Sequence, residues 1–255
     1  MSIQMSDIGG KVCFDKSKYI LYEPYRGLHL AYHVKRHCFS GRSEFQQIDI
    51  IDNDAYGRML FLDHNLQHTE YDAEVFNEAI CGPAKRNKVR RVIVLGGGSG
   101  QTLLSLLKSE SLQRVTLVEI DRLLVDACIR YVRGVKRAFN DSRVRVRVGD
   151  AFRYLHSTNE QFDAAIIDLT EKPLGMSNST MAQMYADLRR KCNGCCSQYV
   201  GSSVALAHTQ QRRMACRLSK KILSGVEFED VFIPSFGAPH TFIHAGYEQW
   251  PSVAL

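Results

Sequence analysis

The sequence predicts an α/β fold, a doubly wound and mostly parallel sheet preceded by a small N-terminal β-rich lobe. Three observations carry that expectation. RVIVLGGGSG runs from β-branched and aliphatic residues straight into glycines, and the helical TLLSLLKSE follows. The same strand, loop and helix recur in VTLVEID with LLVDACIRYV, in VRVRVGD with AFRYLH, and in FDAAIIDL with MAQMYADLRR. Before them, the stretch from about Lys18 to Leu62 is rich in β-formers. Strands alternating with helices imply right-handed crossovers, with ligands received at the carboxyl ends of the strands.

Taken in order, the first residues, MSIQMSDIGGKVCFDKSKY, lack the apolar segment of a secretory signal, and a cytoplasmic protein is expected. EFQQIDIID and GRMLFLD read as a hairpin turning near Asn53, Asp54 and Gly57. From Glu70 to Cys81 the spacing puts Val75, Ala79 and Ile80 on one helical face, and Gly82-Pro83 is expected to end that helix. The expected organisation is a lobe with its linking helix over 1–82 and a larger cofactor-binding catalytic domain over 83–255. Beyond the repeating units, strands are expected around Cys195 to Val204 and Val226 to Ile233, with a helix from about Gln210 to Leu223.

Composition narrows the function classes. The 255 residues suffice for one main core with a small appendage, and no apolar run approaches the roughly 18 residues that a membrane span requires. Eight cysteines are scattered through apolar stretches, so reduced thiols are expected. The CxxC of Cys192 and Cys195 has no second CxxC or histidine pair nearby to complete a metal site. A net charge of +6 and the run Arg143-Val-Arg-Val-Arg-Val raise the question of nucleic acid. Alternation argues against it, because Val144, Val146 and Val148 at period two read as a buried strand face with the arginines in solvent.

The chemistry concentrates at the strand ends. Gly96, Gly97, Gly98 and Gly100 allow a backbone to approach a ligand closely, and Glu119, about twenty residues on, ends the next strand where a carboxylate accepts hydrogen bonds from ribose hydroxyls. Asp150 ends the third strand, where it can meet an adenine amino group, cap the following helix, or do both. Asp168 ends the fourth, with Glu171 in the loop after it. Two carboxylates at the rim of a nucleoside site suit a cationic amine, neutralising its charge and taking a proton from the attacking nitrogen; helix capping or pairing with lysines is the bland alternative.

GRSEFQQIDI, LDHNLQHTEYDAEVFNEAI, VIVLGGGSG, LVEID, RVRVRVGDAF and AIIDLTEKPLG resemble, in order and spacing, the motifs of the spermidine/spermine synthase family, which includes putrescine N-methyltransferase-like members. The likeness extends from about His29 to the C-terminus, and DLTEKP is more similar to the spermine synthase branch. The resemblance implies a Rossmann-like, methyltransferase-type sheet, a small-molecule amine substrate and a homodimer. It implies that Gln46, Glu119, Asp150 and Ala151 hold the nucleoside, that Gln67 lies by the cofactor tail with the glycine loop, that Asp168 is the catalytic acid-base residue, and that Glu171 grips the far amine. Phe76 stands where the family has tyrosine. IPSFGAPHTF, which contains His240, resembles the family's substrate-side segment only loosely, so the substrate end has changed.

Ser99 stands where family aminopropyltransferases carry an aspartate that pairs with the ammonium of decarboxylated S-adenosylmethionine. Two like charges about 4 Å apart cost roughly 1 to 4 kcal/mol, so aspartate excludes the α-carboxylate of intact S-adenosylmethionine and serine does not. On that ground the expected activity is N-methyl transfer from S-adenosylmethionine, narrowly ahead of aminopropyl transfer from the decarboxylated cofactor, with a non-catalytic cofactor-binding module as the third reading.

Overall fold

A computed structural model describes residues 13–15, 18–25, 28–169, 177–204 and 206–246. The N-terminal part is built of two antiparallel sheets. β1 (Cys13–Asp15), β2 (Lys18–Tyr25) and β3 (Leu28–Val34) form the first; β4 (Arg36–Arg42), β5 (Gln47–Asn53), β6 (Gly57–Leu62) and β7 (Asn65–Thr69) form the second. The expected hairpin is β5 and β6, with Asn53 Oδ1 accepting from the Ala55 and Tyr56 amides to shape its turn at 2.8 and 3.0 Å.

The larger part follows as α1 (Ala73–Arg86), β8 (Arg91–Gly96), α2 (Gln101–Leu106), β9 (Arg114–Glu119), α3 (Arg122–Tyr131), α4 (Val135–Phe139), β10 (Val144–Val148), α5 (Ala151–Ser157) and β11 (Phe162–Asp168). It ends with α6 (Asn178–Lys191), β12 (Cys192–Ser202), α7 (Leu206–Ile222), β13 (Val226–Ile233) and β14 (Ala238–Gly246). Its seven strands are ordered β10-β9-β8-β11-β12-β14-β13. The first five are parallel and β14 runs antiparallel to both neighbours. This is the expected mixed α/β, methyltransferase-type sheet, with the order reversing between β8 and β11.

Central strands buried on both faces must be apolar throughout. Along β8, Ile93 and Leu95 pack with Leu155 of α5 and Met181, Met184 and Tyr185 of α6, whereas Val92 and Val94 pack with Ile80 of α1 and Leu103 and Leu106 of α2. The lobe is attached through Ile48, Ile50, Leu60 and Leu62, which share a cluster with Leu124, Ala127 and Cys128 of α3. Asp121, 1% exposed, pins the same junction. It accepts from Ser43 Oγ at 2.7 Å and Gln46 Nε2 at 2.9 Å on the lobe side, and caps α3 by accepting from the Leu124 amide at 3.2 Å.

Several expectations change. α1 does not end at Gly82-Pro83 but continues to Arg86. Proline removes one backbone donor and not the helix, because the Pro83 carbonyl accepts from both the backbone N–H and the Nδ2 of Asn87, at 3.1 and 2.9 Å. β10 is an edge strand, so Val144 and Val146 are half-buried and Val148 is 49% exposed instead of lining a buried face. β14 has no counterpart in the expected set, although it holds β13 to the sheet. Cys192, Cys195 and Cys196 are buried in β12, where burial pushes the last two thiols up to about 12.

Loss of the Asp121 carboxylate leaves Ser43 and Gln46 without their shared acceptor and uncaps α3. Asp121→Ala is expected to lower the unfolding free energy by about 2–4 kcal/mol, which urea denaturation measures; a change within about 0.5 kcal/mol would mean that the apolar contacts alone hold the lobe.

Candidate active site

A cavity of about 280 Å³ opens at the carboxyl ends of β8, β9 and β11, where the strand order reverses. The glycine loop between β8 and α2 forms its floor, with Gly96, Gly97 and Gly100 in left-handed backbone conformations at φ 80°, 73° and 77°. A Cβ at Gly96 would collide with the Asp168 carbonyl oxygen, and that carbonyl accepts from the Gly97 N–H at 3.0 Å. A Cβ at Gly98 would lie 2.8 Å from the Glu119 carboxylate. The glycines are needed because three strand ends converge on this loop.

Glu119, 7% exposed, accepts one backbone N–H on each oxygen, from Asp121 at 3.0 Å and from Gly98 at 3.1 Å. Each oxygen retains a lone pair for a ligand. Burial raises its carboxyl above the ordinary value, against the lowering effect of those N–H groups. Asp150 caps α5 by accepting from the Phe152 and Arg153 amides at 2.8 and 3.1 Å, both through Oδ1, so capping leaves Oδ2 for a ligand. Ala151, Gln67, Ser99 and Phe76 also line the cavity. Phe76 packs edge-on to Tyr199 and Phe242, at centroid distances of 5.1 and 5.3 Å.

Asp168 faces the cavity from the end of β11, and its Oδ2 accepts from the Thr102 hydroxyl at 2.8 Å. Burial raises its carboxyl above the ordinary range more strongly than the Thr102 bond lowers it. Two expected site residues stand outside the lining. Gln46 is one residue behind it, with its amide on Asp121, whose own N–H holds Glu119. His240 is buried behind the wall, bonded through Nδ1 to the Tyr199 hydroxyl at 2.8 Å and packed against Phe236 at 4.8 Å. Glu171 lies outside the described residues.

The structure adds lining residues that sequence reasoning missed. Asp72, 4% exposed, accepts from the Thr69 hydroxyl at 2.5 Å and from the Ser235 N–H and hydroxyl at 2.7 and 3.0 Å, tying the lobe to the turn before β14. Asn77, Thr69 and Phe236 stand nearby, and His68 is kept neutral by burial, its imidazole lowered to about 4. Phe236 had a signal in the IPSFG segment; Asp72, the residue before α1, and Asn77 within it were not singled out by the helical pattern, which marks only the apolar face. Among the described lining residues, Asp72, Glu119, Asp150 and Asp168 are acidic and none is lysine or arginine.

Comparison with known proteins identifies the set. Residues 74–249 match the model of the spermine/spermidine synthase domain, and residues 19–70 match that of the spermidine synthase tetramerisation domain. The chain belongs to the spermidine/spermine synthase family. It is 30% identical to the polyamine aminopropyltransferase of Aeropyrum pernix over 87% of this chain and 72% of that protein. It is 27% identical to that of Thermococcus kodakarensis over 86% and 78%. Two solved structures share the fold at 22% identity. A spermidine synthase in complex with the transition state analogue AdoDATO has a TM-score of 0.83, covering 95% of this chain and 84% of that one. The spermidine synthase from Thermotoga maritima has a TM-score of 0.81, covering 96% and 84%.

The expectation of N-methyl transfer is corrected by these relatives, which are named aminopropyltransferases. A physical reason is visible in the cavity. Ser99 removes a repelling charge, yet no lysine or arginine among the described lining residues receives a cofactor carboxylate. The loop N–H groups of Gly97, Gly98 and Gly100 are already given to Asp168, Glu119 and Gly97.

The elevated Asp168 carboxyl has a consequence for stability. The folded chain holds this proton to higher pH than the unfolded chain, so stability falls as pH rises from the ordinary carboxyl range through the folded value. Asp168→Asn is expected to be more stable than wild type at neutral pH, with the difference closing as pH falls toward about 4. Urea denaturation of both proteins at pH 7 and pH 5 measures it; a variant less stable at both would mean that the charge itself holds the loop.

Proposed function

We propose that the protein transfers an aminopropyl group from decarboxylated S-adenosylmethionine to an amine of the polyamine class. The observation that carries this reading is a cavity lined by four carboxylates, Asp168 among them, and, among the described residues, by no lysine or arginine. A sulfonium donor bearing an ammonium and a polyamine acceptor are both cations, and such a wall attracts both. Membership of a family whose named relatives are polyamine aminopropyltransferases supports the same choice.

In this reading Glu119 accepts from the ribose hydroxyls, Asp150 through Oδ2 takes the adenine amino group, and Ala151 lies against the ring. Gln67 and Ser99 lie by the aminopropyl tail. Asp168 holds the acceptor amine, whose nitrogen attacks the carbon next to sulfur in line. A nitrogen–carbon bond forms as the carbon–sulfur bond breaks, the thioether nucleoside leaves, and the nitrogen's proton passes to Asp168. Burial raises its carboxyl, which makes it a better proton acceptor than an exposed aspartate. Assembly into more than one copy is part of the reading, supported by the match of residues 19–70 to a tetramerisation domain. No described helix is long and apolar enough to cross a membrane.

Incubation with decarboxylated S-adenosylmethionine and a panel of di- and triamines, read by mass spectrometry, is expected to yield an amine heavier by one aminopropyl group and the thioether nucleoside in equal amounts. Binding of the donor without any product would leave a non-catalytic module. Glu119→Ala is expected to weaken nucleoside binding by about 1.5–3 kcal/mol in calorimetry, because charge-assisted hydrogen bonds are lost. Asp168→Asn is expected to lower turnover about a hundredfold or more with donor binding nearly intact; turnover near normal would remove Asp168 from the mechanism.

A further inference from the structure

A threonine hydroxyl in a helix commonly turns back to a carbonyl three or four residues earlier. Thr102, in the first turn of α2 and fully buried, spends its proton elsewhere: Oγ1 lies 2.8 Å from Asp168 Oδ2 and 3.4 Å from Asn77 Oδ1. One hydroxyl has one proton, and the nearer acceptor takes it. The surroundings hold this arrangement in place. Asn77 is fixed on α1 by donating through Nδ2 to the Ala73 carbonyl at 2.6 Å. At Gly97 a Cβ would stand 3.2 Å from Asp168 Oδ2 and 3.6 Å from Thr102 Oγ1, so glycine keeps the space around the bond open.

We propose that Thr102 is the positioning residue of this site: by occupying Oδ2 it fixes the Asp168 carboxylate and leaves Oδ1 as the oxygen that meets the attacking amine. The inference rests on the aminopropyl-transfer reading for its reaction, not for its geometry. A carboxylate at a strand end otherwise turns about its side-chain torsions, and the alignment of base, nucleophile and leaving sulfur is lost. The hydroxyl also lowers the Asp168 carboxyl against the rise imposed by burial, so it keeps more of the base ionised at a given pH. Among the described residues, the other titratable groups around the cavity are Asp72 ahead of α1, Glu119 on β9, Asp150 at the start of α5 and neutral His68 on β7. Beneath Thr102, the Cys81 thiol of α1 is held protonated by burial.

Thr102→Val keeps the shape and deletes the donor; Thr102→Ser restores the donor. In Thr102→Val the acidic limb of the kcat/KM profile is expected to move up by roughly one pH unit, and kcat on the plateau to fall at least about tenfold with donor KM little changed. Thr102→Ser is expected to recover most of both. The Asp168 carboxyl, followed by carbon-13 NMR in wild type and Thr102→Val without substrates, is expected to titrate at higher pH in the variant. An unmoved titration overturns the proposal whatever the activity, as does a plateau kcat that Thr102→Val leaves intact. Absence of aminopropylated product from the wild type overturns the functional reading whatever the titration.

Discussion

The site depends on one close approach, that of the β8 loop to the end of β11. The Gly97 N–H donates to the Asp168 carbonyl at 3.0 Å, and only a residue without Cβ fits at Gly96 beneath that carbonyl. Those two strands are adjacent where the order of the sheet reverses, and the helices after them leave on opposite faces. The cavity opens over that approach, walled by lobe strands β6 and β7, the start of α1 and the segment before β14. Its floor is therefore backbone, and the carboxylates stand around it at strand ends that the sheet itself makes rigid.

Electrostatics of the site oppose those of the molecule. A chain of net charge +6 places four carboxylates around one cavity and, among the described residues, no lysine or arginine there. Burial penalises the charged form of Glu119 and of Asp168, which raises both. That penalty is a stability cost at neutral pH, and it is the kind of cost that active sites retain because a cation repays it on binding. The basic remainder is spread over the surface, as in the half-buried and exposed β10 with its arginines in solvent.

Much of this was legible in the sequence. Strand–loop–helix periodicity gave the parallel half of the sheet, because buried strands between two helical layers must be apolar throughout, and the acidic residues ending β9 and β11 line the cavity as expected. Less legible were features that depend on contacts distant in sequence. β14 carries histidines, a threonine and a proline among its apolar residues, and forms because β12 and β13 flank it. Asp72 meets Ser235 from 163 residues away, a pairing that no local pattern encodes. Gln46, which the resemblance assigns to the nucleoside, stands outside the described lining with its amide on Asp121, a contact 75 residues away that no local pattern encodes.

Ser99 marks the limit of reasoning from one substituted charge. Removing a carboxylate abolishes a repulsion, and an absent repulsion tolerates a ligand without selecting it. Selection of an α-carboxylate requires donors, and the donor inventory is a property of the folded loop: the N–H groups of Gly98, Gly97 and Gly100 close on Glu119, on Asp168 and within the loop itself. The sequence shows five loop residues, four of them glycine, and gives no sign that the N–H groups of Gly97, Gly98 and Gly100 are already satisfied. The charge that a cofactor tail meets is set by the whole wall, in which four carboxylates stand beside Ser99.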